Sequence, residues 1–214
     1  MRSRAPINGV SHGRQRVALT SVGSELLFRS MPDRPLMFER PERSHRVRRT
    51  FGFVDLSGFT HYGVVEGDDK AVEQLSLFRS VVRSVGSSTG VRVAKWLGDG
   101  AMLVGLDAAG LVSAVMLIMR KMEDAGSELG LHAGVASGDV ILFEGDDHIG
   151  MTVNLAARLA DLARPGQILA PADTFHGLGQ TPAALGPVEV AGFDDAIELA
   201  DVARVPALVE SLNL

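Results

Sequence analysis

The chain has 214 residues with an apolar fraction of 46%, enough for one domain with a core and an appendage. It has no cysteine, which excludes a disulfide framework and any thiolate metal site. The formal charge of -5 is unevenly spread: residues 1–50 hold 11 Arg against 4 acidic residues, and the remainder is correspondingly acidic.

The basic arm, residues 1–45, is punctuated by Ala5-Pro6, Met31-Pro32, Arg34-Pro35 and Arg40-Pro41. Only Val17 to Phe28 has the apolar content for local structure. The arm lacks the aromatic interleaving of a single-strand binder, and no nucleic-acid partner is expected. The main domain is expected over residues 46–204, with a tail over 205–214. No apolar run is long enough to cross a bilayer and no signal-peptide pattern is present, so the expectation is a cytoplasmic protein without a membrane span.

Val47 to Leu56 reads as a strand with Asp55 at its end, and Gly58-Phe59-Thr60 opens a helix. Such a corner offers a carboxylate to a cation and free backbone N–H groups to an anion. An Asp there also serves simply as a cap. Asp69 to Val85 is an amphipathic helix with Val72, Leu75, Phe78, Val82 and Val85 on its inner face, broken over Gly86 to Gly90. Val91 to Leu97 and Ala101 to Leu106 read as a hairpin turned by Gly98-Asp99-Gly100. Asp107 to Met122 is the clearest helix, with Leu111, Ala114, Val115, Ile118, Met119 and Met122 on one stripe and its methionines read as core filler.

Leu131 to Ser137 and Asp139 to Phe143 read as two strands with a tight turn at Gly138. An acidic loop, Glu144 to Asp147, leads to a helix over Gly150 to Ala163, stopped by Arg164-Pro165-Gly166. Gln167 to Ala170 is a short strand and Gly177 to Pro187 a loop. Late strands lie near Val188 and over Ile197 to Val202. This succession predicts an α+β fold: a ferredoxin-like βαββαβ core, helices on one face, with a C-terminal α/β extension.

Three motifs carry the chemistry. They are Asp55-Leu56-Ser57-Gly58-Phe59-Thr60, Lys95-Trp96-Leu97-Gly98-Asp99, and Asp147 seven residues before Asn154 with Arg158 four residues later. Asn154 and Arg158 share a helix face. In this order, and with Arg164-Pro165-Gly166-Gln167-Ile168 behind them, the motifs resemble the catalytic domain of the class III adenylate and guanylate cyclases. The resemblance runs from about Arg46 to about Val202. No Gly-Gly-Asp-Glu-Phe turn, phosphate-binding Walker loop or His-Glu-x-x-His pattern competes with it.

The resemblance implies a class III cyclase fold and an adenylate cyclase making cyclic AMP and pyrophosphate from ATP. It implies two divalent ions, Mg2+ or Mn2+, on Asp55 and Asp99, with phosphate oxygens held by the amides of Gly58, Phe59 and Thr60. Asn154 is implied to orient the ribose and Arg158 to stabilise charge on the α-phosphate. Lys95 and Asp147 are implied to read adenine: Lys donates to N1 and the carboxylate accepts from N6–H2, an edge that guanine reverses. In this family the ion-binding pair and the nucleotide-reading set come from opposite subunits, which implies a head-to-tail homodimer. Two family features are missing. Val190-Ala191-Gly192-Phe193 stands where many members carry a triphosphate-binding Lys, and Leu142-Phe143-Glu144-Gly145 stands where an Arg is often found. A silent or weak nucleotide-binding module of the same fold, and a guanylate cyclase, are the alternatives.

Overall fold

The computed structural model describes residues 46–144, 147–175 and 182–203. The chain divides into two units, 1–40 and 41–214, and all described residues belong to the second. The predicted structure within Val17 to Phe28, the start of the Gly177 to Pro187 loop and the tail from 205 lie outside the described residues.

The elements run β1 (Arg46–Leu56), α1 (Phe59–Glu66), α2 (Asp68–Thr89), β2 (Arg92–Leu97), β3 (Gly100–Gly105) and α3 (Ala108–Asp124). They continue as β4 (Leu131–Phe143), β5 (Asp147–Ile149), α4 (Met151–Leu162), β6 (Ile168–Pro171), β7 (Ala183–Val188) and β8 (Ile197–Asp201). The strands form an eight-stranded sheet in the order β2-β3-β1-β4-β6-β8-β7, with β5 paired on β4. β4 and β6 run parallel and the other described pairs antiparallel. The α+β class and the C-terminal extension are as expected.

Strand alternation divides the residues of β1 between two cores. Val54 and Leu56 face α2 and α3 and pack with Phe78, Val82, Leu111, Val115 and Ile118. Phe51 packs on the opposite face with Met102, Val104, Ala136, Val140 and Ala156 of α4. Each large side chain so buried contributes about 1.5–3 kcal/mol. Asp107 caps α3 by accepting from the Gly110 amide at 2.8 Å, and the predicted apolar stripe of that helix is its buried face.

Four expectations are corrected. Val72 is 59% exposed, and Ala71 takes the inner position instead. Counting back from buried Phe78 by seven residues, two helical turns, reaches Ala71. Helix α2 also runs through Gly86 to Thr89. A Cβ on Gly86 would lie 2.8 Å from the Val91 carbonyl, so close packing requires glycine there, and Gly90 at φ 75° ends the helix. β4 is one strand, because Gly138 stays in register with Arg49; its missing side chain makes room for Thr152 of α4 rather than for a turn. The strand expected near Val188, β7, begins earlier, at Ala183 inside the predicted Gly/Pro loop, where Pro187 is tolerated because β7 is a sheet edge.

The helices also occupy both faces rather than one. Gly134 alternates between Ala133 and Val135, which face α3, so it faces α4. A Cβ there would run into the α4 backbone at Ala156, Leu159 and Ala160. Gly134→Ala is therefore expected to cost about 3 kcal/mol or more and to lower the melting temperature by roughly 6–12 °C. Gly52→Ala meets the movable Leu111 side chain at 3.2 Å and should cost clearly less. Thermal denaturation of the two variants checks this, and equal losses would contradict it.

Candidate functional site

Asp55 is the penultimate residue of β1 and points to the α4 side of the sheet. The strand register sets it opposite Gly100 of β3 and His132 of β4. Gly100 is what makes room for the carboxylate: a Cβ there would lie 2.6 Å from Asp55 Oδ1 and 3.0 Å from the Val54 carbonyl. Asp99 precedes Gly100 in the β2–β3 turn, where Gly98 supplies the positive φ of 64°.

Asp99 acts on the Asp55 carboxyl. Burial pushes the Asp55 carboxyl above its ordinary range, and the negative charge of Asp99 pushes it further. His132 and the Leu56 backbone N–H act in the opposite direction, and Asp161 of α4 adds to the rise. His132 Nε2 lies 4.0 Å from Asp55 Oδ2, while its Nδ1 shares a 2.9 Å hydrogen bond with Ser57 Oγ. The sequence reading missed His132. Its signal is only its position across the β1–β4 ladder, which no linear motif carries.

Among the described residues no group of three or more His, Cys, Asp or Glu is placed to hold a metal ion. Two half-exposed carboxylates still suit a hard divalent cation, since Mg2+ commonly takes one or two carboxylates and completes its shell with water and substrate phosphates. The raised Asp55 pKa fits the same reading, because a cation between two like charges relieves their repulsion. Beside them, α1 begins at Gly58, φ 75°, with no side-chain cap, so the amides at its start are not consumed by a capping oxygen. The Gly58 carbonyl accepts from Tyr62 N–H at 2.9 Å.

Lys95 and Asp147 meet. Lys95 Nζ lies 2.6 Å from Asp147 Oδ1, with the two side chains 53% and 51% exposed. An irregularity between Val93 and Lys95 sets Lys95 opposite Met102, on the α4 side of the sheet. β5 pairs Asp147 with Phe143 of β4, and His148 is seated edge-on against Phe51 at 5.2 Å. So Asp147 belongs to a short strand and not to the predicted acidic loop. An exposed pair of this kind adds about 0–1 kcal/mol to stability and can open for a ligand.

Asn154 and Arg158 lie exposed along α4. Arg158 Nη1 donates to Asp161 Oδ2 at 3.2 Å, and Asn154 Nδ2 lies 4.0 Å from Met151 Sδ. The single chain thus brings Asp55 to Asp99 and Lys95 to Asp147. It leaves Asn154 and Arg158 presented outward, with the ion pair of Arg158 made to Asp161 among the described residues.

Comparison with solved structures identifies this architecture. The adenylyl cyclase CyaB from P. aeruginosa superposes over 75% of this chain and 95% of its own, with a TM-score of 0.64 and 22% identity. This is the catalytic-domain fold of the class III adenylate and guanylate cyclases. No family model matches the chain. A protein of Mycobacterium tuberculosis described as uncharacterized is 38% identical over 167 residues, 76% of this chain and 44% of that protein. A pH-sensitive adenylate cyclase of the same species is 33% identical over 137 residues, 64% of this chain and 34% of that protein. The chain spans less than half the length of these two relatives. Adenylate cyclases are thus among the homologues of this cyclase-fold chain. No helix among the described residues is long and apolar enough to cross a membrane.

Asp55 gives a pH-dependent expectation. Its folded pKa is raised, so the folded chain binds that proton more tightly than the unfolded chain does. The cost of its charge is present at pH values above the folded pKa and disappears as pH falls through it. After allowance for its exposure, metal-free Asp55→Asn should melt about 1–3 °C above wild type at pH 7.5, with no difference near pH 4. Calorimetry at the two pH values checks this. A less stable Asp55→Asn at pH 7.5 would contradict it.

Proposed function

We propose that this chain is an adenylate cyclase, a phosphorus-oxygen lyase converting ATP to 3′,5′-cyclic AMP and pyrophosphate within a head-to-tail homodimer in signal transduction. The observation that carries the reading is the charge-coupled pair Asp55 and Asp99, set at adjacent strand ends beside the uncapped start of α1. These two carboxylates would hold two divalent ions, Mg2+ or Mn2+, which when bound acidify the 3′-hydroxyl and neutralise the phosphate tail. The amides of Gly58, Phe59 and Thr60 hold phosphate oxygens at the helix start.

The adjacency of Lys95 and Asp147 supports adenine as the base. A donor and an acceptor 2.6 Å apart can separate to take N1 and N6–H2 side by side. Guanine at the same edge would oppose its N1–H to the ammonium and its O6 to the carboxylate, leaving polar groups mismatched. From α4, Asn154 orients the ribose and Arg158 meets negative charge developing on the α-phosphate. Arg158 exchanges its exposed Asp161 partner for that charge. The outward presentation of Asn154 and Arg158 favours service to a partner subunit's carboxylates. Val190-Ala191-Gly192-Phe193 offers no cationic side chain for the triphosphate, which points to a loose substrate grip.

The test is cyclic nucleotide formation by the purified chain from ATP or GTP, with Mn2+ and then Mg2+. Cyclic AMP is expected, abolished in Asp55→Ala and reduced on the order of 100-fold in Arg158→Ala. Equal turnover of GTP would overturn the base assignment. A folded dimer forming no product would favour the silent nucleotide-binding module. Mixing equal amounts of Asp55→Ala and Arg158→Ala subunits should restore about a quarter of wild-type activity, because half the dimers then hold one intact site of two. No restoration would contradict the head-to-tail arrangement.

A further inference from the structure

The tip of the β2–β3 hairpin is held from below by α2. Arg79 Nη2 donates to the Gly98 carbonyl at 3.2 Å. That carbonyl lies in the turn, outside the Leu97–Gly100 strand pairing, and belongs to the same planar peptide as the Asp99 amide. Fixing its direction therefore fixes how the chain enters Asp99. The guanidinium of Arg79 is itself held: its Cζ lies 5.2 Å from the centroid of the Trp96 ring, as does that of Arg83 one helical turn on. Phe78 meets the Trp96 ring edge-on at 6.3 Å. Arg79 Nε is buried without a hydrogen-bond partner among the described residues, so stacking and the turn carbonyl, not full satisfaction of its own donors, set its place.

We propose that Arg79 is a positioning residue: through the Gly98 carbonyl, with Trp96 as its platform, it holds the Asp99 carboxylate within reach of Asp55. The proposal rests on the reading of Asp55 and Asp99 as an ion-binding pair. It makes Trp96, the second residue of Lys95-Trp96-Leu97-Gly98-Asp99, part of the support of the site.

The test uses the full chain and Mn2+, alone and with a non-cyclisable ATP analogue. Trp96 is the sole tryptophan, so its quenching by paramagnetic Mn2+ follows occupancy, with electron paramagnetic resonance of free Mn2+ as the independent count. Arg79→Ala is expected to weaken Mn2+ binding about tenfold or more, as loss of a supporting contact at a metal site does. It should also speed amide exchange at residues 97–100 and raise the Mn2+ needed for half-maximal turnover more than it lowers the maximal rate. Arg79→Lys keeps a donor and should fall between Arg79→Ala and wild type, and it serves if Arg79→Ala does not fold. Arg83→Ala, which alters the same stack on Trp96, should leave Mn2+ binding at the wild-type value. A folded Arg79→Ala that binds Mn2+ as wild type does would overturn the proposal. An equal loss in Arg83→Ala would overturn it too, by tracing the effect to Trp96 packing. A wild-type chain that takes up no Mn2+ would overturn the functional reading instead, and amide exchange, which needs no metal, would then decide whether Arg79 holds the turn.

Discussion

The alternation of β1 is the constraint on which the rest of the structure depends. Its even positions near the end, Val54 and Leu56, are committed to the core under α2 and α3. The residue between them is thereby sent to the other face, beyond the reach of that core. Asp55 is a carboxylate held on a central strand flanked by β3 and β4, and it cannot change faces without disturbing the Val54 and Leu56 packing. A one-residue slip of the strand would put Asp55 into the apolar core, where its charge would be far more costly than any contact regained. The hydrophobic pattern and the placement of the carboxylate are therefore one requirement.

Glycines complete that requirement by absence. At Gly100 the missing side chain is the space the Asp55 carboxylate occupies. At Gly134 it lets α4 lie directly on β4, which brings the Asn154 and Arg158 helix onto the same face as the carboxylates. The close approach has an electrostatic consequence, because Asp161 near the end of α4 adds to the field that raises the Asp55 pKa. Three acidic groups thus act on one region, opposed among the described residues by His132 and the Leu56 backbone N–H. An arrangement that strains against its own charge in this way is suited to a cation, and a strand end and a tight turn hold its groups in place.

The two other candidate groups are built differently. Lys95 and Asp147 are half-exposed and satisfy each other, so the pair costs the fold little. Arg158 and Asp161 do the same on α4. The groups proposed to engage a nucleotide are held in weak, exchangeable pairs, whereas the groups proposed to hold ions are fixed by strands and a turn. The hairpin tip shows the firmer mode, with Gly98 anchored to α2 by Arg79.

The sequence alone determined the helices and most strands in their order, the stripes of α2 and α3 apart from one misplaced valine, and the candidate residues Asp55, Asp99, Lys95, Asp147, Asn154 and Arg158. The elements are legible because strand alternation, helical period and turn residues are local in the chain, and the candidate residues because their motifs resemble those of a known family. Only the tertiary structure decided that Gly138 continues a strand, that α4 lies on the face opposite α2 and α3, and that β7 forms within a Gly/Pro stretch. It also decided that His132 stands across from Asp55 and that Arg79, nineteen residues from Gly98, grips the turn. Each of these is set by register or by packing between segments distant in sequence. A glycine that bends the chain and one that admits a helix backbone read alike until the opposing segment is in place.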